Sequence, residues 1–292
     1  FTINKLEFRR LQMDFPESTD LSKKNYQAIL DIRSLFALVS RLANEGSFAL
    51  DTETTSKDPM QAKIVGLSFS VSPHEAFYIP CAHDNLDRLS QINIDDVLNQ
   101  LKPVLENPGI KKIGQNIKYD WIVLARHGIK LAGVFFDTML ASYLINPSKR
   151  AHNLDQIALD FLGHRKITYQ EVTGKGKTAL SFSQIPIEKA VPYACEDADI
   201  TLMAYRMLAP KLDEIDLTTL LQTIEMPLVP VLTKMEMRGI CVDRERLNRL
   251  SKSFEHQLNT LEQMIYGVAD EKFNIKSSQQ LGYILFEKLK LP

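Results

Sequence analysis

The eight residues Ser47-Phe48-Ala49-Leu50-Asp51-Thr52-Glu53-Thr54 decide how the rest of the chain is read. Side chains alternate along a strand, so Phe48 and Leu50 fall on one face and Ala49, Asp51 and Glu53 on the other. Two carboxylates then project together from the end of an otherwise apolar strand. Held this close, each raises the pKa of the other unless a cation neutralises both. The pair suits a divalent cation. A D-x-E triplet is also common, and on its own it fits a solvated strand end.

On either side of this strand the pattern is α/β. Apolar periodicity predicts a helix over Ile32–Asn44, strands at Lys63–Val71 and Ala76–Pro80, a helix over Ile94–Leu105 and a short strand at Lys111–Gln115. Short polar turns make the three strands from Ser47 to Pro80 an antiparallel meander. Helices are expected at Ile117–His127, Asp137–Leu144, Asn153–Phe161 and Ile187–Leu208, with a basic loop at Gly174-Lys175-Gly176-Lys177. Residues 1–22 lack periodicity and read as a linker, which leaves 23–212 as one α/β domain. From 213 to 292 nearly everything is helix-patterned. There Asp243 is placed to cap a helix bearing Leu247, Leu250, Phe254, Leu258, Leu261, Ile265 and Val268, a stripe that calls for a partner and should otherwise be exposed. Ser277 and Gln280 have the spacing of a capping box.

Composition narrows the class. The chain has 292 residues, 45% apolar and 24% charged, with a net charge of −1. That is ordinary for a globular protein and too little positive charge for a polycation, so any grip on nucleic acid rests on local basic patches. The three cysteines are scattered, which argues against a disulfide framework or structural zinc and fits a reducing cytoplasm. No apolar run reaches the ~20 residues of a membrane span, and no signal peptide is evident. The first residue, Phe1, reads as an internal start. His83-Asp84 is an isolated pair and weak evidence for a second metal site, and the other histidines read as helix-end or surface residues.

Two more segments carry carboxylates. In Gln115-Asn116-Ile117-Lys118-Tyr119-Asp120, Asn116 is a good N-cap and Asp120 falls in the first helical turn, where the helix dipole favours an anion. In Tyr193-Ala194-Cys195-Glu196-Asp197, Tyr193 and Asp197 share a helical face. Ala190, Ala194, Ile200, Thr201, Ala204 and Leu208 place Asp197 in the apolar stripe of its helix. A carboxylate there requires a metal or an ion pair, and the competing reading is a buried salt bridge to a lysine or arginine the sequence does not identify. Glu196 and Asp199 lie off the stripe and are expected in solvent. Pro192 predicts that the helix kinks or begins there.

Taken in order, D-x-E, N-x-x-x-D and Y-x-x-x-D on one α/β domain resemble the tyrosine subclass of the DEDD exonucleases, which have an RNase H-like fold. Longer stretches (FALDTETTS, GQNIKYDWIVLARHGI, TGKGK, YACEDADIT and EMPLVPVLTKMEMRGICVD) resemble the bacterial polymerase I branch of family A DNA polymerases from about Tyr26 to the end. The resemblance implies a 3′→5′ proofreading exonuclease domain, a mixed sheet flanked by helices, followed by an incomplete helical thumb. The polymerase motifs and the 5′ nuclease are not found in this chain. It implies two divalent ions, magnesium with manganese able to substitute: Asp51, Glu53 and Asp197 around one, Asp51 and Asp120 serving the second, and Tyr193 orienting the attacking water. The implied partner is a single-stranded or frayed DNA 3′ end, bound by a monomer in the cytoplasm with no membrane involved. Tyr169 would stack on terminal bases, the alternative being an ordinary half-buried tyrosine, and Gln115 and Asn116 would contact or shape the strand's path. Lys57 could meet a phosphate, and Lys175 and Lys177 either meet phosphates or belong to a solvated loop. Lys57 stands where relatives can carry an apolar wedge. Two alternatives remain, an RNA-processing exonuclease of the same superfamily and a non-catalytic DNA-binding scaffold.

Overall fold

A computed structural model describes residues 24–84 and 91–292, and the side chain of Lys177 lies outside the described part, as does the expected linker at 1–22. Six strands form one mixed sheet: β1 (Asn25–Ala28), β2 (Ser47–Thr54), β3 (Ile64–Ser72), β4 (Glu75–Pro80), β5 (Lys111–Gly114) and β6 (Val134–Asp137). Across the sheet they run β1-β4-β3-β2-β5-β6. The expected meander β2-β3-β4 is antiparallel, while β5 lies parallel to β2, β6 to β5, and β1 to β4.

Alternation along β2 assigns the two layers. Phe48 and Leu50 pack with Leu35, Leu38 and Leu42 of α1 (Ile32–Glu45), Leu101 and Leu105 of α2 (Ile94–Leu105), and Val123 and Leu124 of α3 (Ile117–Arg126). Asp31 caps α1 through the N–H groups of Arg33 and Ser34, and Gly46 ends it at φ 68°, a turn that costs glycine little. Ala49, on the opposite face, packs with Ile113, Phe136, Ala141 of α4 (Thr138–Ile145), and Leu202, Ala204 and Leu208. Two short helices, α5 (Leu154–Ile157) and α6 (Tyr169–Thr173), precede the long α7 (Ile187–Glu214), which carries those last three residues. Nearer the start of α7, Ala190, Tyr193 and Ala194 pack with Val65, Ala76 and Tyr78. This helix begins at Ile187 and continues through Pro192, so it does not start at the proline. The ring removes only the N–H that would reach back to Glu188.

The first compact unit continues through α8 (Thr218–Leu220) and α9 (Met226–Arg238) and ends at Arg238. The expected division near residue 212 therefore falls inside it. Leu221 and Met226 join the core around Ala49 and Phe136, and Val229 joins the core around Phe48. Lys118 of α3 also pairs with Glu236.

The second unit, Gly239–Pro292, holds α10 (Arg244–Ala269) and α11 (Ser278–Gly282). Asp243 caps α10 as expected, accepting from Arg246 N at 2.9 Å. The capping box at Ser277 is half formed. Ser277 Oγ accepts from Gln280 N, but the Gln280 side chain turns to the N–H of Asn274 at 2.8 Å. The stripe on α10 is exposed, with Phe254 at 52% and Leu258 at 59%. Among the described residues no single helix is long and apolar enough to cross a membrane.

Candidate active site

The parallel strands β2, β5 and β6 end on the same side of the sheet, where open α/β sheets present ligands. Asp51 and Glu53 leave β2 opposite Ser68 and Gly66 of β3. α7 brings Asp197 against them, one oxygen from each of the three carboxylates lying within 4.8 Å of the others. Asp120, on α3, reaches the same strand end differently. Its Oδ1 accepts from Thr52 N at 3.0 Å and Thr52 Oγ1 at 2.6 Å. It is thus tied to the residue between Asp51 and Glu53 without joining the tight trio.

Burial, reinforced by the charge of Asp197, pushes the Asp51 carboxyl up to about 7. Burial also raises Asp197 to about 6, with Lys166 opposing the rise. Glu53 and Asp120 are pushed well above the usual carboxylate range, by burial first and then by Asp51. Glu53 Oε1 is buried without a hydrogen-bond donor. Such a group is costly unless a cation or donor meets it, and among the described residues this trio is the candidate cation-binding cluster. The Tyr193 phenol is raised as well, by burial and by Asp197, and is neutral at pH 7.

The salt bridge weighed against a metal is also present, and its cation is Lys166. Sequence reasoning did not find it, because nothing in the local pattern ties residue 166 to α7. Its Nζ lies 2.6 Å from Asp197 Oδ1, 3.1 Å from Asp155 Oδ1 and 4.9 Å from the centre of the Tyr193 ring. Glu196 and Asp199, expected in solvent, are instead buried. Glu196 accepts from Lys24 Nζ, from Ile167 N and from the His164 ring. Burial works to raise its pKa, yet these bonds hold it down at about 2. Asp199 accepts from Tyr26 Oη and His74 N, both at 2.8 Å. Glu196 therefore fixes the segment that delivers Lys166, and Asp199 fixes the sheet edge beside it.

Two adjoining clefts open on the carboxylates. One, of about 650 Å³, is lined by Asp51, Glu53, Asp120, Tyr193 and Asp197 together with Gln115, Asn116, Tyr119, Leu140, Tyr143 and His152. The other, of about 910 Å³, shares Glu53, Asn116 and Tyr119 and adds Lys57, Asp155, Tyr169 and Gln170. Tyr119, Tyr143 and His152 were given no role from sequence, since an aromatic or histidine on a helix or loop carries no positional signal. Gln115 is committed within the fold: its amide donates to His152 O at 2.8 Å and accepts from Thr138 Oγ1. Tyr169, 42% exposed, stacks on Phe182 and meets the Tyr193 ring edge-on. Lys175 is exposed and lines neither cleft.

Asn116 does not cap α3 with its side chain. It adopts a left-handed conformation, φ 54°. The cap comes from Asp137 at the end of β6, which accepts from Ile117 N at 2.8 Å and Asn116 N at 3.2 Å, and also from Met139 N at 2.8 Å at the start of α4. His83 is closed to metals by its own bonds, one ring nitrogen meeting Tyr78 Oη at 2.8 Å and the other Ile185 O at 2.9 Å.

Comparison with known proteins gives the family. Residues 26–213 match the family described as 3′–5′ exonuclease, and residues 244–292 match DNA polymerase family A. DNA polymerase I of Pseudomonas aeruginosa is 44% identical over 271 residues, covering 92% of this chain and 30% of the relative. DNA polymerase I of Rhizobium leguminosarum is 41% identical over 283 residues, covering 91% and 28%. The chain thus spans less than a third of the length of these relatives. A solved structure of the POL domain of Pol1 from M. smegmatis, in complex with DNA primer-template and dNTP, superposes with a TM-score of 0.73 at 26% identity, covering 91% of this chain and 41% of that one. One matched segment contains the sheet and the carboxylates and the other the C-terminal helices, so the chain belongs to the 3′–5′ exonuclease family of family A DNA polymerases.

Proposed function

We propose that this chain hydrolyses the terminal phosphodiester at the 3′ end of single-stranded or frayed DNA, releasing nucleoside 5′-monophosphates, as the proofreading part of a replicative or repair DNA polymerase I. The observation that carries the reading is the convergence of Asp51, Glu53 and Asp197 within 4.8 Å in a domain of the exonuclease family.

The residues fit divalent metal ions. Hard oxygen donors suit magnesium, with manganese as a substitute. The orphaned Glu53 Oε1 and the crowded trio supply what such an ion needs. Asp51, Glu53 and Asp197 would hold one ion, and Asp51 with Asp120 would serve a second. When bound, a pair of such ions supplies charge stabilisation to the attacking and leaving oxygens of the phosphodiester.

The chain's own groups do the rest. Tyr193, a neutral phenol, donates a hydrogen bond that orients the attacking water. Tyr169 offers a half-exposed ring for base stacking, worth ~1–3 kcal/mol per base. Lys57, exposed on the second cleft, meets a backbone phosphate. Lys175 and Lys177 belong to a basic loop that could add phosphate contacts. Asn116 and the committed Gln115 amide shape the strand's path. The protein acts as a monomer in the cytoplasm.

A 3′-labelled single strand incubated with Mg²⁺, with EDTA, and with the Asp51→Ala variant tests this reading. Mononucleotide release only by the wild type with Mg²⁺ supports it. Undiminished cleavage by the variant removes Asp51 from the mechanism, a strong preference for RNA ends overturns the substrate, and no cleavage in any condition leaves a binding scaffold.

A further inference from the structure

A lysine side chain that is 5% exposed, seated among acidic groups, is an unusual neighbour for a cation-binding cluster. Lys166 touches two carboxylates of different character. Asp197, at 2.6 Å, belongs to the trio and is itself nearly buried, whereas Asp155, at 3.1 Å, is half exposed and lines the second cleft. The ammonium also lies over the Tyr193 ring, where the π face favours a cation. Its backbone neighbourhood is fixed by Glu196, which holds His164 and Ile167 on either side.

Two physical consequences follow. Without a metal, Lys166 is the only side-chain cation that the structure gives the trio as a direct partner, among the described residues. Because it is tethered, it cannot be diluted away. With a metal, a positive charge beside a metal-ligating oxygen opposes the incoming ion, by an amount that partial burial makes larger than in water. Asp155 offers the ammonium a second partner within reach, so the cation can be handed from Asp197 to Asp155 when Asp197 turns to the ion.

We propose that Lys166 is a resident counter-cation of the carboxylate cluster, holding Asp197 in the metal-free protein and competing with a divalent ion for it, with Asp155 as the alternate partner that lets it yield. This rests on the reading of the trio as a metal site. It makes Lys166 a positioning residue that sets metal affinity rather than a catalytic one.

The test measures Mn²⁺ binding to the full chain by the loss of free-ion electron paramagnetic resonance signal, alongside melting in EDTA. Lys166→Met keeps the length and removes the charge. It should bind Mn²⁺ roughly tenfold more tightly and melt at a lower temperature in EDTA. Lys166→Arg should bind within about threefold of wild type, the difference a change of shape alone makes. Asp155→Asn, on the exposed side, leaves the ammonium with Asp197 alone and should weaken Mn²⁺ binding about threefold. Unchanged or weaker Mn²⁺ affinity in Lys166→Met overturns the inference while leaving the metal site standing. If Lys166→Met does not fold without metal, Asp155→Asn decides, and unchanged or tighter binding there overturns it. Failure of the wild type itself to bind Mn²⁺ in a manner sensitive to Asp51→Ala overturns the metal-site reading and this inference together.

Discussion

Thr52 gives both of its donors to one oxygen of Asp120, the backbone N–H at 3.0 Å and the hydroxyl at 2.6 Å. A strand residue whose neighbours face one layer thereby anchors a carboxylate that arrives from the other. The fourth acidic group of the site is fixed by the same strand that carries the first two.

Thr52→Val removes the hydroxyl and keeps both shape and N–H. Losing one of the two donors to a buried carboxyl costs ~1–3 kcal/mol, so stability should fall by about that amount. Exonuclease turnover should drop on the order of tenfold, while substrate KM changes little. Urea unfolding and steady-state kinetics check the two halves.

Asp51→Asn should separate stability from activity. The carboxyl is raised to about 7 by burial and by Asp197, which means its ionised form is disfavoured in the fold. Replacing it with a neutral amide should leave the protein in EDTA more stable by ~1–3 kcal/mol while hydrolysis is lost. Melting in EDTA, compared with cleavage in Mg²⁺, reads both.

The metal-free protein should lose stability as pH rises. Asp51 at about 7 and Asp197 at about 6 lie above the ordinary aspartate value of 3.8. A folded pKa raised above the unfolded one gives a contribution that is complete below about pH 4 and lost as pH climbs through 6 to 7. Metal binding displaces those same protons, so Mn²⁺ affinity should increase from pH 5.5 to 7.5. Melting in EDTA and Mn²⁺ titration across that range should move in opposite directions.

Gly66→Ala tests the support beneath Glu53. A Cβ there would fall 2.2 Å from the Tyr78 hydroxyl, inside the core and opposite Glu53 in the sheet register. Tyr78 must move and release its bond to His83. A loss of ~1–3 kcal/mol, as for overpacked cores, is expected by denaturant titration.

Much of this was legible in the sequence because it is local. The D-x-E strand, the meander and the apolar stripe containing Asp197 follow from alternation and helical period alone. What escaped is set by partners remote in sequence. Glu196 and Asp199 look solvent-facing from their own helix, yet their partners Lys24 and Tyr26 are 172 and 173 residues away. β1, Asn-Tyr-Gln-Ala, is a polar edge strand with no hydrophobic alternation to betray it. β6 is four residues long and ends in Asp137, a residue equally suited to open a helix, and it does both. Asn116 had the right type and spacing for a cap, but a carboxylate from β6 reaches the same N–H groups.

That shared cap joins two walls. Through Asp137 the first turns of α3 and α4 hang from a single side chain, and these helices supply Tyr119 and Asp120 on one bank of the cleft and Leu140 and Tyr143 on the other. The gape of the cleft is therefore governed from below, at the rim of the sheet. A change at that one acid would loosen both helix starts at once while leaving the four carboxylates in place as residues.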